Sequence, residues 1–370
     1  MDRSWKNNNL LRMTENTETE EFDTRFTPAY DGELNPWDYL VHNSDGTYSL
    51  DLSSVKKIDR DETDRDELDR EGDLFLGEFL RKNFIKDGRL TVKFKRWDGD
   101  FILSDWGHYT PIKSLEGCPE IVNGDFRADR CGLTSLKGAP RVVTGEFCCC
   151  ENRLTSLEGG PEKVGSYTVT SPIVTSFVGS PKTVKRTFRF AGGRGITSLE
   201  GVPRKMTSFI FVNGPATIES LEGLPEGVKI VDISCNHFKS LKGCPSSVKI
   251  LKFYENDITS LDGVPSRLEY LDASFNYITT LESDLKSVDE YIFMEGNPLR
   301  EIGNTLESVG KCIEVDEDAK LSRLRRLAKD KGIRIAFSAR AMGKYAHDLK
   351  MKELGYYDDP YIGRSPYIHK

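Results

Sequence analysis

Residues Glu146–Pro161 read EFCCCENRLTSLEGGP: three adjacent cysteines, then a Thr-Ser-Leu-Glu-Gly turn closed by proline. The second half of this stretch returns along the chain as KSLEGCP, TSLKGAP, TSFVGSP, TSLEGVP, ESLEGLP, KSLKGCP and TSLDGVP. The prolines fall at 119, 140, 161, 181, 203, 225, 245 and 265, one every 20 to 22 residues. A ninth turn, without proline, follows at 279–285, and a degraded tenth at 300–306. A repeat of this length cannot bury its apolar side alone, so the units must stack and share one core.

Between the turns lies a second pattern, clearest in IVDISCNHFKSL (230–241) and YLDASFNYITTL (270–281). In an extended segment alternate side chains point to opposite faces. Leu271 and Ala273 are therefore predicted inside, with Tyr270, Asp272 and Ser274 outside; Val231 and Ile233 match the inner pair. Asn236 and Asn276 stand where the strand turns away, and their amides can satisfy the backbone groups left unpaired there. The glycine and proline of each turn favour an extended or tight-turn return over a helix.

Aligned on this pattern, Phe147, Cys149, Asn152 and Leu154 take the places of Leu271, Ala273, Asn276 and Ile278. Cys149 reads as a small core hydrophobe. Cys148 and Cys150 are predicted to face outward, roughly 6–7 Å apart by strand rise. Arg127, Asp129, Thr168 and Thr170 lie nearby in adjacent repeats and bring no third thiolate or histidine, so no metal ligand is assigned. Cys131 and Pro172 occupy asparagine positions, and Cys118 and Cys244 lie in turns. Extra residues predict irregular loops at 191–195 and 212–217, read either as drift in a tolerant stack or as a cluster of binding loops.

The L-x-L-x-x-N-x-L strand segment resembles the leucine-rich repeat. The short unit and its proline turn are similar to the repeats of type III secreted bacterial effectors, and the LTSLEGxP wording resembles proteins of tailed bacteriophages. The resemblance covers roughly residues 90–316. It implies a mainly β solenoid, a parallel sheet with an extended or turn-like convex side. Effectors with such repeats can carry a ubiquitin-ligase domain with a catalytic cysteine after them. Here the last cysteine, Cys312, lies inside the last repeat, and the segment beyond it is too short for that domain.

The 370 residues are 37% hydrophobic and 30% charged, with a net charge of −7. This describes a thin core under a large surface. No apolar run approaches the length of a membrane span, and residues 1–23 lack a signal-peptide pattern. Eight cysteines without a C-x-x-C pair, and five scattered histidines, read as reduced thiols.

The ends differ from the middle. Residues 1–25 read as a disordered or partner-ordered arm, and 26–110 as an N-terminal capping region. In the cap, Asp45-Gly46 marks a hairpin, 74–85 an amphipathic helix and 89–105 strands covering the first repeat. The acidic run 59–73 lacks the glycine and glutamate spacing of a calcium loop. The solenoid spans 111–316 with about ten repeats. A basic helical cap at 317–355 includes a helix over 319–332, a strand at 333–337 and a second helix over 340–355. A Tyr/Pro-rich tail occupies 356–370. The basic segment 320–352 would cover the solenoid, meet an acidic surface or touch phosphate, and it is the sole place from which nucleic acid would be reached.

No phosphate-cradling loop, H-E-x-x-H or G-x-S-x-G motif is present, so no catalysis and no cofactor are expected. The leading reading is a non-catalytic protein-interaction module, phage-encoded by resemblance, that meets a host or phage protein through its outer strand face. Ile230, Asp232, Ile250, Lys252, Tyr254, Tyr270, Asp272, Ile292 and Met294 are the candidate contact residues there. The alternative is an accessory head or tail component of a phage virion, its terminal arms touching neighbouring subunits. These place the chain in the host cytoplasm or in the virion.

Overall fold

The computed structural model describes residues 36–52, 79–104, 112–193, 195–214, 218–316, 326 and 328–337. The arm at 1–25, the acidic run at 59–73, the helix predicted over 340–355 and the tail lie outside the described residues. The chain winds as a mainly β solenoid of about ten turns, with very little helix among the described residues. Each coil adds one strand to a continuous sheet. From Phe94–Asp98 the order runs through Ile121–Asn123, Val142–Cys148, Lys163–Ser171, Thr187–Gly192 and Ser208–Val212. It continues through Ile230–Asp232, Ile250–Lys252, Tyr270–Asp272, Tyr291–Phe293, Cys312–Val315 and Ile335–Phe337, every step parallel.

Residues that match between coils pair directly, as Leu251 does with Leu271 and Phe126 with Phe147. Their side chains therefore stack inside. Phe101, Phe126, Phe147, Tyr167, Phe188 and Phe209 form a ladder of rings with centroids 5.1–6.1 Å apart and planes within 6° of parallel. Val231, Leu251, Leu271, Ile292 and Ile313 continue the row, all fully buried. A fully buried side chain of this size contributes about 1.5–3 kcal/mol, so the row is a principal support of the rod.

The turns repeat for a local reason. In TSLEGxP the serine Oγ accepts the backbone N–H two residues on, as Ser156 does from Glu158 and Ser240 from Lys242, both at 3.1 Å. The following glycine is left-handed, with φ 93° at Gly201. A Cβ at Gly201 would lie 2.5 Å from the backbone of Phe177 and Val178, so the coils approach too closely there for any side chain.

The asparagines do as the pattern predicts. Asn276 Nδ2 donates to the carbonyls of Phe253, Ala273 and Ser274, and its Oδ1 accepts the Ile258 N–H. Asn152, Asn236, Asn256 and Asn297 make corresponding bonds. Cys131, in the same slot, turns its Sγ to the carbonyls of Asp129 and Leu103. The residue before the slot is left-handed at Arg130, Glu151, Cys235, Glu255 and Phe275, with φ of 53–57°. That conformation costs a non-glycine residue about 1–2 kcal/mol, which the adjacent amide bonds help to offset.

Both described ends are covered. The hairpin predicted at Asp45-Gly46 forms between Leu40–His42 and Tyr48–Leu50, and its second strand pairs with Phe94–Asp98. Residues 79–84 are helical. Phe79, Phe84, Phe94, Trp97 and Phe101 pack edge to face over the first coil. At the other end a short helical segment, including 328–330, ends at Gly332 with φ 70°. The predicted strand forms at Ile335–Phe337. Lys331 Nζ donates to the carbonyls of Asn304 and Leu306, both at 2.9 Å, tying this segment to the last turn.

Candidate functional site

The outer face of the sheet carries the side chains that the core does not use. Toward the N-terminal end it is charged: Arg127 Nη2 meets Asp125 at 3.0 Å and Glu146 at 3.3 Å. Thr168 Oγ1 donates to Glu146 Oε1 at 2.5 Å. Toward the C-terminal end it turns apolar. Ile250, Tyr270 and Phe293 form a cluster apart from the main core, with Ile230 and Tyr291 packed against it. The Tyr270 and Phe293 rings lie 5.5 Å apart, the Tyr291 and Phe293 rings 5.7 Å, and Lys252 Nζ sits 5.9 Å from the Tyr270 ring centre.

Of the nine candidate contact residues, seven stand on this face. Ile230, Asp232 and Tyr254 are partly exposed. Ile250, Lys252, Tyr270 and Asp272 are buried, at 3%, 3%, 2% and 9% exposure, which corrects the expectation that they face solvent. One reason is visible in the register: Ile250 is flanked by Ile230 and Tyr270 on paired strands. Rows only about 4.8 Å apart cover one another's sides. Burial also raises the Tyr254 phenol above its ordinary range.

The other two candidates, Ile292 and Met294, point the opposite way. Both belong to the main core, at 0% and 1% exposure. Ile292 pairs with Leu271 and Phe293 with Asp272, so Tyr291 and Phe293 take the outward places. The coil through the proline-less turn is one residue longer than its predecessor, and a one-residue shift exchanges the two faces of a strand. Tyr291 and Phe293 are thus the aromatic residues that even spacing misses; the signal for them is Asn297, which marks its coil as Asn276 marks the one before.

The three cysteines divide as their alternation predicts, but not in exposure. Cys149 and Phe147 lie in the core, both at 0%. Cys148 and Cys150 lie on the other face and are buried as well, at 0% and 8%. Their sulfurs are 3.3 Å apart, closer than strand rise predicts. The strand ends at Cys148 and the chain turns left-handed at Glu151, which swings the two side chains together. Asp129, from the preceding coil, completes the cluster: its Oδ1 lies 2.9 Å from Cys148 Sγ and accepts the Cys150 N–H at 2.8 Å. Its Oδ2 accepts Ser104 Oγ–H at 3.1 Å. The hydrogen bond with Cys150, then burial and the neighbouring carboxylates, holds the Cys148 thiol well above its usual range.

The predicted loops begin at Gly193, which is left-handed with φ 79°, and at Asn213, with φ 55°. Residues 194 and 215–217 lie outside the described residues. No described helix is long and apolar enough to cross a membrane. In comparison with known proteins, the chain matches no family profile and no curated protein.

Proposed function

We propose that this chain is a non-catalytic protein-interaction module whose contact surface is the outer strand face around Ile230, Tyr254 and Tyr291. The observation that supports this most directly is the cluster of Ile230, Ile250, Tyr270, Tyr291 and Phe293, which gathers apolar and aromatic groups outside the core. Aromatic side chains are enriched at protein interfaces. The partly exposed Ile230, Asp232, Tyr254 and Tyr291 are the accessible part of this face, a mixed apolar, aromatic and charged patch supported from below by the buried members.

The test is affinity capture from a lysate of the native source, comparing the full chain with an Ile230→Ala, Tyr254→Ala, Tyr291→Ala variant. The proposal expects a protein held by the first and lost by the second, with both giving the same far-ultraviolet circular dichroism. Equal capture by a folded variant would rule out this face as the contact surface.

A further inference from the structure

We propose that Cys148, Cys150 and Asp129 form a binding site for a thiophilic divalent cation of the zinc type. Their donor atoms all lie within 4.8 Å of one another, and all three residues are buried. Two sulfurs and one carboxylate oxygen are a donor set suited to zinc, which binds thiolates and carboxylates tetrahedrally. Because two coils supply these side chains, Asp129 from one and the cysteines from the next, a bound ion would cross-link adjacent turns.

The geometry is close to what an ion needs. With Zn–S near 2.3 Å and Zn–O near 2.0 Å, tetrahedral angles place two sulfurs about 3.8 Å apart and a sulfur and an oxygen about 3.5 Å apart. The observed separations are 3.3 Å for the sulfurs and 2.9 Å for Cys148 Sγ to Asp129 Oδ1. An opening of roughly half an ångström at each, within reach of small side-chain torsions, admits the ion. The fourth position falls to solvent, reached past Cys150 at 8% exposure, or to the Thr168 carbonyl oxygen, 3.8 Å from Cys150 Sγ. The carboxylate is already oriented for the task, because Ser104 Oγ–H and the Cys150 N–H both donate to Asp129.

The fold itself does not require these cysteines. In other coils the place of Cys148 is taken by Asp232, Lys252 or Asp272, and that of Cys150 by Ser234, Tyr254 or Ser274. Two thiols exchanged for two thiolates release two protons to solvent for each dication taken up. The charge of the buried pocket is then the same before and after loading, so binding adds no net charge to the interior.

The test uses the full chain, reduced and freed of metal with a chelator, then titrated with Co2+ and Zn2+. The proposal expects one ion per chain, two protons released per ion, and a sulfur-to-cobalt charge-transfer band with the intensity of two thiolates. A C148S/C150S variant loses the band, a C235S/C244S variant keeps it, and Asp129→Asn weakens binding at least tenfold. Should the first variant fail to fold, zinc-edge X-ray absorption on the unaltered chain decides. Two sulfur neighbours near about 2.3 Å support the site. No ion retained, any other number of sulfur neighbours, or a band that persists in folded C148S/C150S protein would overturn it.

Discussion

Asn276 Oδ1 accepts the backbone N–H of Ile258, in the preceding coil, at 3.0 Å, while its amide donates to three carbonyls at 2.9–3.1 Å. One buried side chain thus closes the corner of its own coil and fastens it to the one below. Truncation leaves the buried Ile258 N–H without a partner, at a cost of about 1–3 kcal/mol, and takes one of two donors from the carbonyls of Phe253, Ala273 and Ser274. Asn276→Ala is predicted to lower unfolding stability by about 3 kcal/mol, read as a shift in the urea midpoint. A loss below about 1 kcal/mol would show that solvent replaces the amide easily.

Gly201 makes a second, steric point. Its φ is 93°, and an added methyl would lie 2.5 Å from the neighbouring coil's backbone. Gly201→Ala is predicted to cost more than about 2 kcal/mol, combining backbone strain with a forced separation of the coils. Gly227 serves as the control: it is left-handed at 95° with open space around its Cβ position, so Gly227→Ala meets only the strain. Thermal melts of the two variants compare the terms, and equal losses would remove the close-approach argument.

Tyr167 stands in the ring ladder between Phe147 and Phe188, fully buried. Its hydroxyl makes no hydrogen bond to the described residues. Burying an unsatisfied hydroxyl costs about 1–3 kcal/mol, so Tyr167→Phe is predicted to be neutral or stabilising by about 1 kcal/mol. A destabilised variant would mean that the hydroxyl has a favourable role.

Alkaline pH should weaken the fold through its buried thiols. Burial raises Cys118, and carries Cys235 and Cys244 to about 12, from an ordinary value of 9.0. Above pH 9 the unfolded chain loses these protons while the folded chain keeps them, so stability is full below that pH and falls as pH rises toward the folded values. The slope is at most about 1.4 kcal/mol per pH unit for each thiol. Urea midpoints at pH 8 and pH 10.5 should differ less in a Cys118→Ala, Cys235→Ser, Cys244→Ala variant than in the parent. Equal differences would place the alkaline sensitivity elsewhere.

The ion pairs Lys239–Glu219 at 2.8 Å and Lys249–Glu269 at 2.6 Å join adjacent coils, and each partner is more than a third exposed. Exposed pairs contribute about 0–1 kcal/mol each. They help to set the register of neighbouring turns more than they hold the rod together.

The stacking, the core face and the place of the asparagines are legible in the sequence because each is written in the pattern that successive coils repeat. Leu271, Ala273, Asn276 and Ile278 are enough to read them. What is not legible depends on neighbours or on a single-residue count. Ile292 and Met294 change faces because one coil lengthens by a residue where proline no longer marks the turn. The burial of Ile250 and Tyr270 is set by the strands beside them. The meeting of Cys148 and Cys150 with Asp129 needs a strand end and a left-handed residue that side-chain alternation does not encode.

Each coil rests only on its neighbours and shares one interior with them. Removing residues 239–258 excises one coil and joins Phe238 to Thr259, which keeps the alternation, the asparagine slot and the turn in phase. The measurement is urea unfolding of this shortened chain. The expected result is a folded protein that unfolds cooperatively with a smaller denaturant dependence, because less surface is buried. A chain that is unfolded or aggregated after loss of one coil would contradict it.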